Sequence, residues 1–266
     1  MDSFKKIAIG FGLVSVITLQ GLQANKLKEC ESDADKASGC VEIKYYPNGD
    51  IEREIPWKNS ELNGVQKIYY SNGQLAKEIP WKNSKPNGTE KEYSGDGRIV
   101  SETIYKSDEI NYVVKDYYEN GQLAEETPFQ LDIQYGIAHI NGVRKGYYEN
   151  GQLGAEIPYA KDSVNGIVKA YYDTGVLAFE GFVLGGSRNF TIGDDGSSGT
   201  GDHKYYSQNG KLLGIARYDK EARFQFVKCA EKKLSHEEAA GLKSALTFEN
   251  FEKYCSKIEE KHGNEE

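Results

Sequence analysis

Four histidines (His139, His203, His236 and His262) and four cysteines (Cys30, Cys40, Cys229 and Cys255) are the residues of this 266-residue chain best suited to hold a metal or to act in covalent catalysis. Neither set has the required spacing. The histidines are scattered, without a ligand pattern or an evident nucleophile beside them, and read as surface residues. The cysteines contain no C-x-x-C pair of the kind zinc sites use, so no metal is expected. The loop "GDDGSSGTGDH" has the composition of a phosphate or calcium loop, yet it lacks the lysine of the first and the alternating acids of the second. Its glycine and serine content reads as a flexible insertion. Glutamates recur at Glu54, Glu78, Glu102, Glu126, Glu156 and Glu180, each matched by a lysine. Carboxylates paired with lysine stay ionised and are poorly suited to acid catalysis. No catalytic residue and no cofactor is expected, and the chain reads as a non-enzyme.

One recurring group is suited to binding. A tyrosine precedes each of seven turn glycines, at Tyr45, Tyr69, Tyr93, Tyr117, Tyr147, Tyr171 and Tyr205. An aliphatic residue follows each glycine by two, at Ile51, Leu75, Ile99, Leu123, Leu153, Leu177 and Leu212, and is expected on the opposite face. A ladder of Tyr69, Tyr117, Tyr147 and Tyr171, with Trp57 and Trp81, suits a partner protein or stacked sugar rings. The same rings are core if the tryptophans fold back over them.

The element that must carry this ladder is a repeat. The turn glycines Gly49, Gly73, Gly97, Gly121, Gly151, Gly175 and Gly210 are spaced by 24, 24, 24, 30, 24 and 35 residues, the mark of a repeat array. Asn-Gly stands at five of the turns and Asp-Gly at one, the strongest short signal for a two-residue type I′ hairpin loop. Tyr-Tyr before the turn and Gln-Leu after it are strand material. A second Asn-Gly at 63–64, 87–88 and 165–166 is expected to turn the chain towards the next hairpin. The two-residue loop sets Tyr70 against Leu75, Tyr69 against Ala76 and Lys67 against Glu78. Lys91–Glu102, Lys115–Glu126, Lys145–Glu156 and Lys169–Glu180 repeat the last pair, and opposite charges across a ladder are stabilising. Pro56, Pro80, Pro128 and Pro158 cannot donate to a ladder and are expected to end pairing. Lone hairpins are marginal in water, so neighbours must share a core. The fold class is an all-β repeat array, an elongated antiparallel meander of stacked hairpins.

These repeats, of the form K-x-Y-Y-x-N-G-Q-L-x-x-E followed by N-G and another lysine-tyrosine strand, resemble MORN-variant repeats, and in particular the bacterial YwqK-type antitoxin family. The resemblance runs from Tyr45 to Ile215. It implies an interaction module, and the antitoxin label implies a cytoplasmic partner protein. Relatives with export signals imply an envelope-associated protein.

The flanks divide the rest. Residues 1–24 read as a secretory signal, with Lys5 and Lys6, the apolar run "IAIGFGLVSVITL" and small residues ending at Ala24. No other segment has the length to cross a bilayer. Residues 25–44 form an N-terminal segment, 45–217 the repeats and 218–266 a helical C-terminal cap, where Ser235 and Glu238 match a capping box. Phe248, Phe251, Cys255 and Ile258 share one helical face there. An exported chain with an even cysteine count implies disulfides, and proximity pairs Cys30 with Cys40 and Cys229 with Cys255. The formal charge of −8 disfavours nucleic acid and anionic lipid. The expected function is a periplasmic or secreted interaction scaffold for a partner protein, with a cell-wall glycan binder and an antitoxin-like inhibitor as alternatives.

Overall fold

The computed structural model describes residues 27–107, 110–186, 199–229 and 232–233, together with Phe251 and Cys255. The expected secretory signal, most of the glycine-rich insertion, His236, His262 and most of the expected helical C-terminal cap lie outside these residues. A six-residue helix, Asp33–Ser38, precedes the sheet and is capped by the Ser32 side chain. Among the described residues, nineteen strands then form a single sheet, an antiparallel meander in which the short strands Glu61–Leu62, Lys85–Pro86 and Ile137–Ile140 each share the strand before them with the strand that follows. Seven hairpins make up its body. They are Cys40–Tyr45 with Ile51–Lys58, Gly64–Tyr69 with Leu75–Lys82, Thr89–Tyr93 with Ile99–Tyr105, Asn111–Tyr117 with Leu123–Asp132, Gly142–Tyr147 with Leu153–Ala160, Ser163–Tyr171 with Leu177–Gly186, and Gly199–Tyr206 with Leu212–Tyr218. Glu61–Leu62, Lys85–Pro86, Ile137–Ile140, Phe224–Cys229 and Lys232–Lys233 complete the sheet.

The turns differ from the two-residue loop expected of Asn-Gly. In the second hairpin Gly73 N–H donates to Tyr70 C=O at 2.9 Å and Tyr70 N–H donates to Gln74 C=O at 2.8 Å. Only the glycine takes positive φ, +82°. This is a three-residue loop, a type I turn followed by glycine in the left-handed region. The other six hairpins repeat both bonds. Asparagine is chosen for its side chain: Asn72 Oδ1 accepts from Gln74 N at 3.0 Å, and Asn48, Asn120, Asn150 and Asn209 do the same. Asparagine caps the turn without adopting the strained φ.

A longer loop should shift every pair by one, yet Lys67 still faces Glu78. The ladder skips a residue. Tyr69 pairs with Leu75 and Ile68 with Lys77, leaving Ala76 bulged. The extra residue in the turn and the extra residue in the strand cancel. The correction has a second effect, because each tyrosine pairs directly across the ladder with the aliphatic residue that was expected on the opposite face. In the seventh hairpin the residue so paired is Tyr206, against Leu212, and not Tyr205.

True type I′ turns lie at the other end of the hairpins. Asn59 and Ser60 (φ 54° and 61°), Asn83 and Ser84 (52° and 60°), and Lys161 and Asp162 (48° and 67°) are two-residue loops with both φ positive. The second Asn-Gly is therefore not the reversal. It breaks the strand where it passes a proline: Pro56 C=O accepts from Asn63 N at 3.1 Å, and a Cβ on Gly64 would lie 3.1 Å from the Pro56 ring. Pairing is interrupted on that side, between Glu54↔Lys67 and Trp57↔Leu62. On the other side it continues through Val41↔Pro56, so proline ends pairing on one flank only.

The sheet has an inner and an outer face. The core on the inner face is concentrated in the last three hairpins and Phe224–Cys229. Val164, Val168, Ala216, Val227 and Phe251 are fully buried there, with Ile157, Tyr159, Phe179, Val183, Tyr205 and Tyr218 around them. Phe251 and Cys255 are both helical, and the Phe251 ring stacks on Tyr205 at 4.0 Å between centroids. Two disulfides pin the ends, Cys30–Cys40 and Cys229–Cys255.

Candidate interaction surface

Alternation along each strand puts lysine, glutamate and the first tyrosine on the outer face. The lysine–glutamate pairs within hairpins are joined by pairs between them: Glu54↔Lys67, Glu78↔Lys91, Glu102↔Lys115, Glu126↔Lys145, Glu156↔Lys169 and Glu180↔Lys204. The result is one unbroken row of alternating charge from Glu54 to Lys204. Lys91 and Glu102 stand 3.8 Å apart, Lys115 and Glu126 3.7 Å, Lys204 and Glu180 2.8 Å.

Beside it runs the tyrosine row. Tyr93 Oη donates to Glu78 at 2.8 Å, Tyr117 to Glu102 at 2.7 Å and Tyr171 to Glu156 at 2.9 Å, each reaching back into the preceding hairpin. Burial, reinforced by the nearby glutamate, pushes the hydroxyls of Tyr69, Tyr93, Tyr117 and Tyr171 up to about 12. On the other flank of the charge row lie apolar pairs, among them Val65 with Pro80, Val113 with Pro128, Val143 with Pro158 and Ile167 with Phe182. Val65, Val143 and Ile167 are 48%, 42% and 56% exposed.

The second tyrosine of each pair has a job that sequence reasoning missed. Tyr46 Oη donates to Tyr69 C=O at 2.6 Å, Tyr70 to Tyr93, Tyr118 to Tyr147, Tyr148 to Tyr171 and Tyr172 to Tyr206. These bonds fasten each turn to the next hairpin. Where serine replaces tyrosine, at Ser94, the Arg98 guanidinium makes the crossing instead, to Glu119 C=O. The signal was present in the doubled Tyr-Tyr, whose two rings a strand must send to different surroundings.

Trp57 and Trp81 point to the inner face, away from the tyrosines. Trp57 Nε1 donates to Glu42 at 3.0 Å and Trp81 Nε1 to Gln66 at 2.9 Å. Tyr105 Oη donates to Glu90 at 2.9 Å in the same position of the third hairpin. Gln66 and Glu90 are buried. Where the polar partner becomes Val114 or Val168, the aromatic position holds Phe129 or Val183. The six residues expected to form one binding ladder are thus split, with Tyr69, Tyr117, Tyr147 and Tyr171 outside and the two tryptophans inside.

His139 and His203 are not surface residues without partners. His139 Nδ1 lies 2.7 Å from Asp162 Oδ2, whose other oxygen accepts from Ile140 N at 2.7 Å. His203 is buried between Phe179 and Tyr218, with Nε2 3.2 Å from Phe182 C=O, and burial pushes its pKa down. Among the described residues, no cluster of three or more histidine, cysteine, aspartate or glutamate side chains has an arrangement that could hold a metal ion. A cleft of about 460 Å³ at the edge between the second and third hairpins is lined by Lys82, Lys85, Tyr105 and Lys106.

Six segments of the chain, residues 41–59, 62–83, 113–131, 140–161, 164–183 and 200–220, match the family model described as the MORN repeat variant. The third hairpin falls in the gap between two matches although it has the same turn and pairing. No curated protein matches the chain.

Proposed function

Because the chain is a MORN-variant repeat protein, we propose that it is a non-enzymatic binding scaffold working outside the cytoplasm, in the periplasm or beyond the cell, and that its outer sheet face receives a partner protein. One observation carries this reading. Large apolar residues left exposed gather on the outer face, at Val65, Val143, Ile167 and Phe182, and run along one flank of the charge row. A contiguous apolar stripe rimmed by charge suits a protein contact. The half-buried rings of Tyr69, Tyr117, Tyr147 and Tyr171 supply a second stripe. Two disulfides fit an oxidising compartment, which is why an envelope partner is favoured over the cytoplasmic partner of an antitoxin.

The test is crosslinking in the native host followed by mass spectrometry, with the triple variant Val65→Lys, Val143→Lys, Ile167→Lys beside the parent chain. The variant should lose the crosslinked partner and keep its thermal midpoint. An unchanged crosslink in the variant would remove the outer face from the account. Retention on purified wall polymer that disappears with Tyr69, Tyr117 and Tyr147 changed to Ala would replace the protein partner with a glycan.

A further inference from the structure

Among the described residues, the first strand, Cys40–Tyr45, has a neighbour on one side only along most of its length. On its outward side Val41 N–H donates to Lys28 C=O at 2.8 Å and Val41 C=O accepts from Cys30 N at 2.9 Å, held there by the Cys30–Cys40 disulfide. Beyond that strap the outward groups belong to Ile43 and Tyr45. Among the described residues nothing bonds to them. Every other hairpin start has a preceding strand, and the carbonyls of Tyr69, Tyr93, Tyr147, Tyr171 and Tyr206 each receive a tyrosine hydroxyl where Tyr45 receives none. Tyr45 is 51% exposed.

The outer side of this edge lacks the usual protection, and its inner side keeps one lysine, Lys44. Lysine on an edge strand discourages pairing with foreign chains. The six later hairpins carry it at one fixed position, at Lys67, Lys91, Lys115, Lys145, Lys169 and Lys204, and the edge strand carries Ile43 instead. On the inner face Lys44 sits directly across from Arg53, a like-charge pair of the kind that destabilises a ladder. Arg53 is bonded to Glu52, but its Nε is buried without a partner. The edge therefore offers two open backbone positions, an apolar outer side and an unbalanced positive inner side.

We propose that this edge is a docking site for an extended segment of another protein, added as a further antiparallel strand, with an acidic residue opposite Lys44 and apolar residues on either side of it opposite Ile43 and Tyr45. Backbone pairing supplies the affinity in this mode and the alternating side chains supply the choice of partner. An acidic residue opposite Lys44 balances the Lys44–Arg53 charge. The apolar neighbours cover Ile43 and the Tyr45 ring. The site is separate from the broad outer face and stands whether or not that face binds a partner.

The probe is a blocked seven-residue peptide of alternating threonine with Val-Glu-Val at its centre, and its counterpart with Val-Lys-Val. With the glutamate peptide near saturation, amide exchange at Ile43 and Tyr45 should slow at least tenfold, and the lysine peptide should bind about tenfold or more weakly. Ile43→Pro removes one outward N–H, which edge strands tolerate, and should weaken binding by a similar factor while leaving exchange at Val168 unchanged. Ile43→Lys restores the residue of the other hairpins, should weaken binding likewise, and keeps the test usable if the proline variant does not fold. No slowing at Ile43 and Tyr45, equal binding of the two peptides, or full binding by the folded variants would each overturn the proposal.

Discussion

The first four hairpins and the last three share one outer face and have different inner ones. In the first half the inner face is held by pairs such as Trp57 with Glu42, Trp81 with Gln66 and Tyr105 with Glu90, backed by ion pairs of Lys77 with Glu90 and Glu92. In the second half the corresponding pairs are Arg144 with Tyr159, Val168 with Val183 and His203 with Tyr218, and Ala216, Val227 and Phe251 pack with them into one core. A single repeat motif thus tolerates two ways of filling its concealed side. Polar–aromatic pairs satisfy each buried group locally, whereas a dry core depends on residues far away in sequence. The first half should come apart hairpin by hairpin, and the second should behave as one cooperative unit.

The largest break in that comparison is Phe251→Ala, which should destabilise the second half by about 3–5 kcal/mol. Amide exchange at Val168 and Val227 should accelerate strongly, while exchange at Ile55 should not change; equal acceleration in both halves would merge the two regions into one. Next comes the double variant Cys229→Ser, Cys255→Ser. Opening a disulfide that spans 26 residues should lower stability by about 3 kcal/mol, confined to the same half in chemical denaturation.

Trp81→Phe acts on the other side of the comparison. It leaves the buried Gln66 without its donor and should lower local stability by about 1–3 kcal/mol, seen as faster exchange in the second and third hairpins only.

Acid should separate the halves by pH. Burial lowers the His203 pKa below 6.5, so the unfolded chain takes up a proton that the folded chain resists, and the second half should lose stability as pH falls below 6.5. His203→Gln should abolish that step. Where the halves meet, burial alone would raise the carboxyl of Glu125 in the fourth hairpin, but the guanidinium of Arg144 in the fifth and the Thr127 hydroxyl outweigh it and hold it below 4.5. Its contribution is present above pH 4.5 and is lost only as pH falls through the lower folded value. Exchange measured at pH 5.5 should therefore find the second half weakened and the first intact. The smallest effect is Tyr118→Phe, which removes the bond to Tyr147 C=O and should lower the thermal stability by about 1 kcal/mol locally.

The split between what was legible and what was not follows the range of the interactions. Repeat period, strand identity, the lysine–glutamate pairing and both disulfides were readable because each rests on local spacing or on one complementary pair. The turn type was misread because Asn-Gly serves two geometries, and Asn72 is selected for its side-chain acceptor rather than for its φ. Register survived that error only because Ala76 bulges out of the ladder. The opposing positions of Tyr69 and Leu75 follow from that same skipped residue and have no local signature. Tyr205 enters the core for a reason the sequence does contain: it stands five residues before Gly210, whereas the row tyrosines, Tyr206 among them, stand four before their glycines.

By itself the amino-acid sequence determined that this chain would be a β-hairpin array with an alternating charge row, since turn residues and period-two patterning act within a few residues of one another. Only the tertiary structure decided which tyrosine meets the preceding glutamate, which face the tryptophans take, and where the array has a dry core. Those choices depend on which strand lies beside which and on a buried ring, Phe251, supplied from beyond the last repeat.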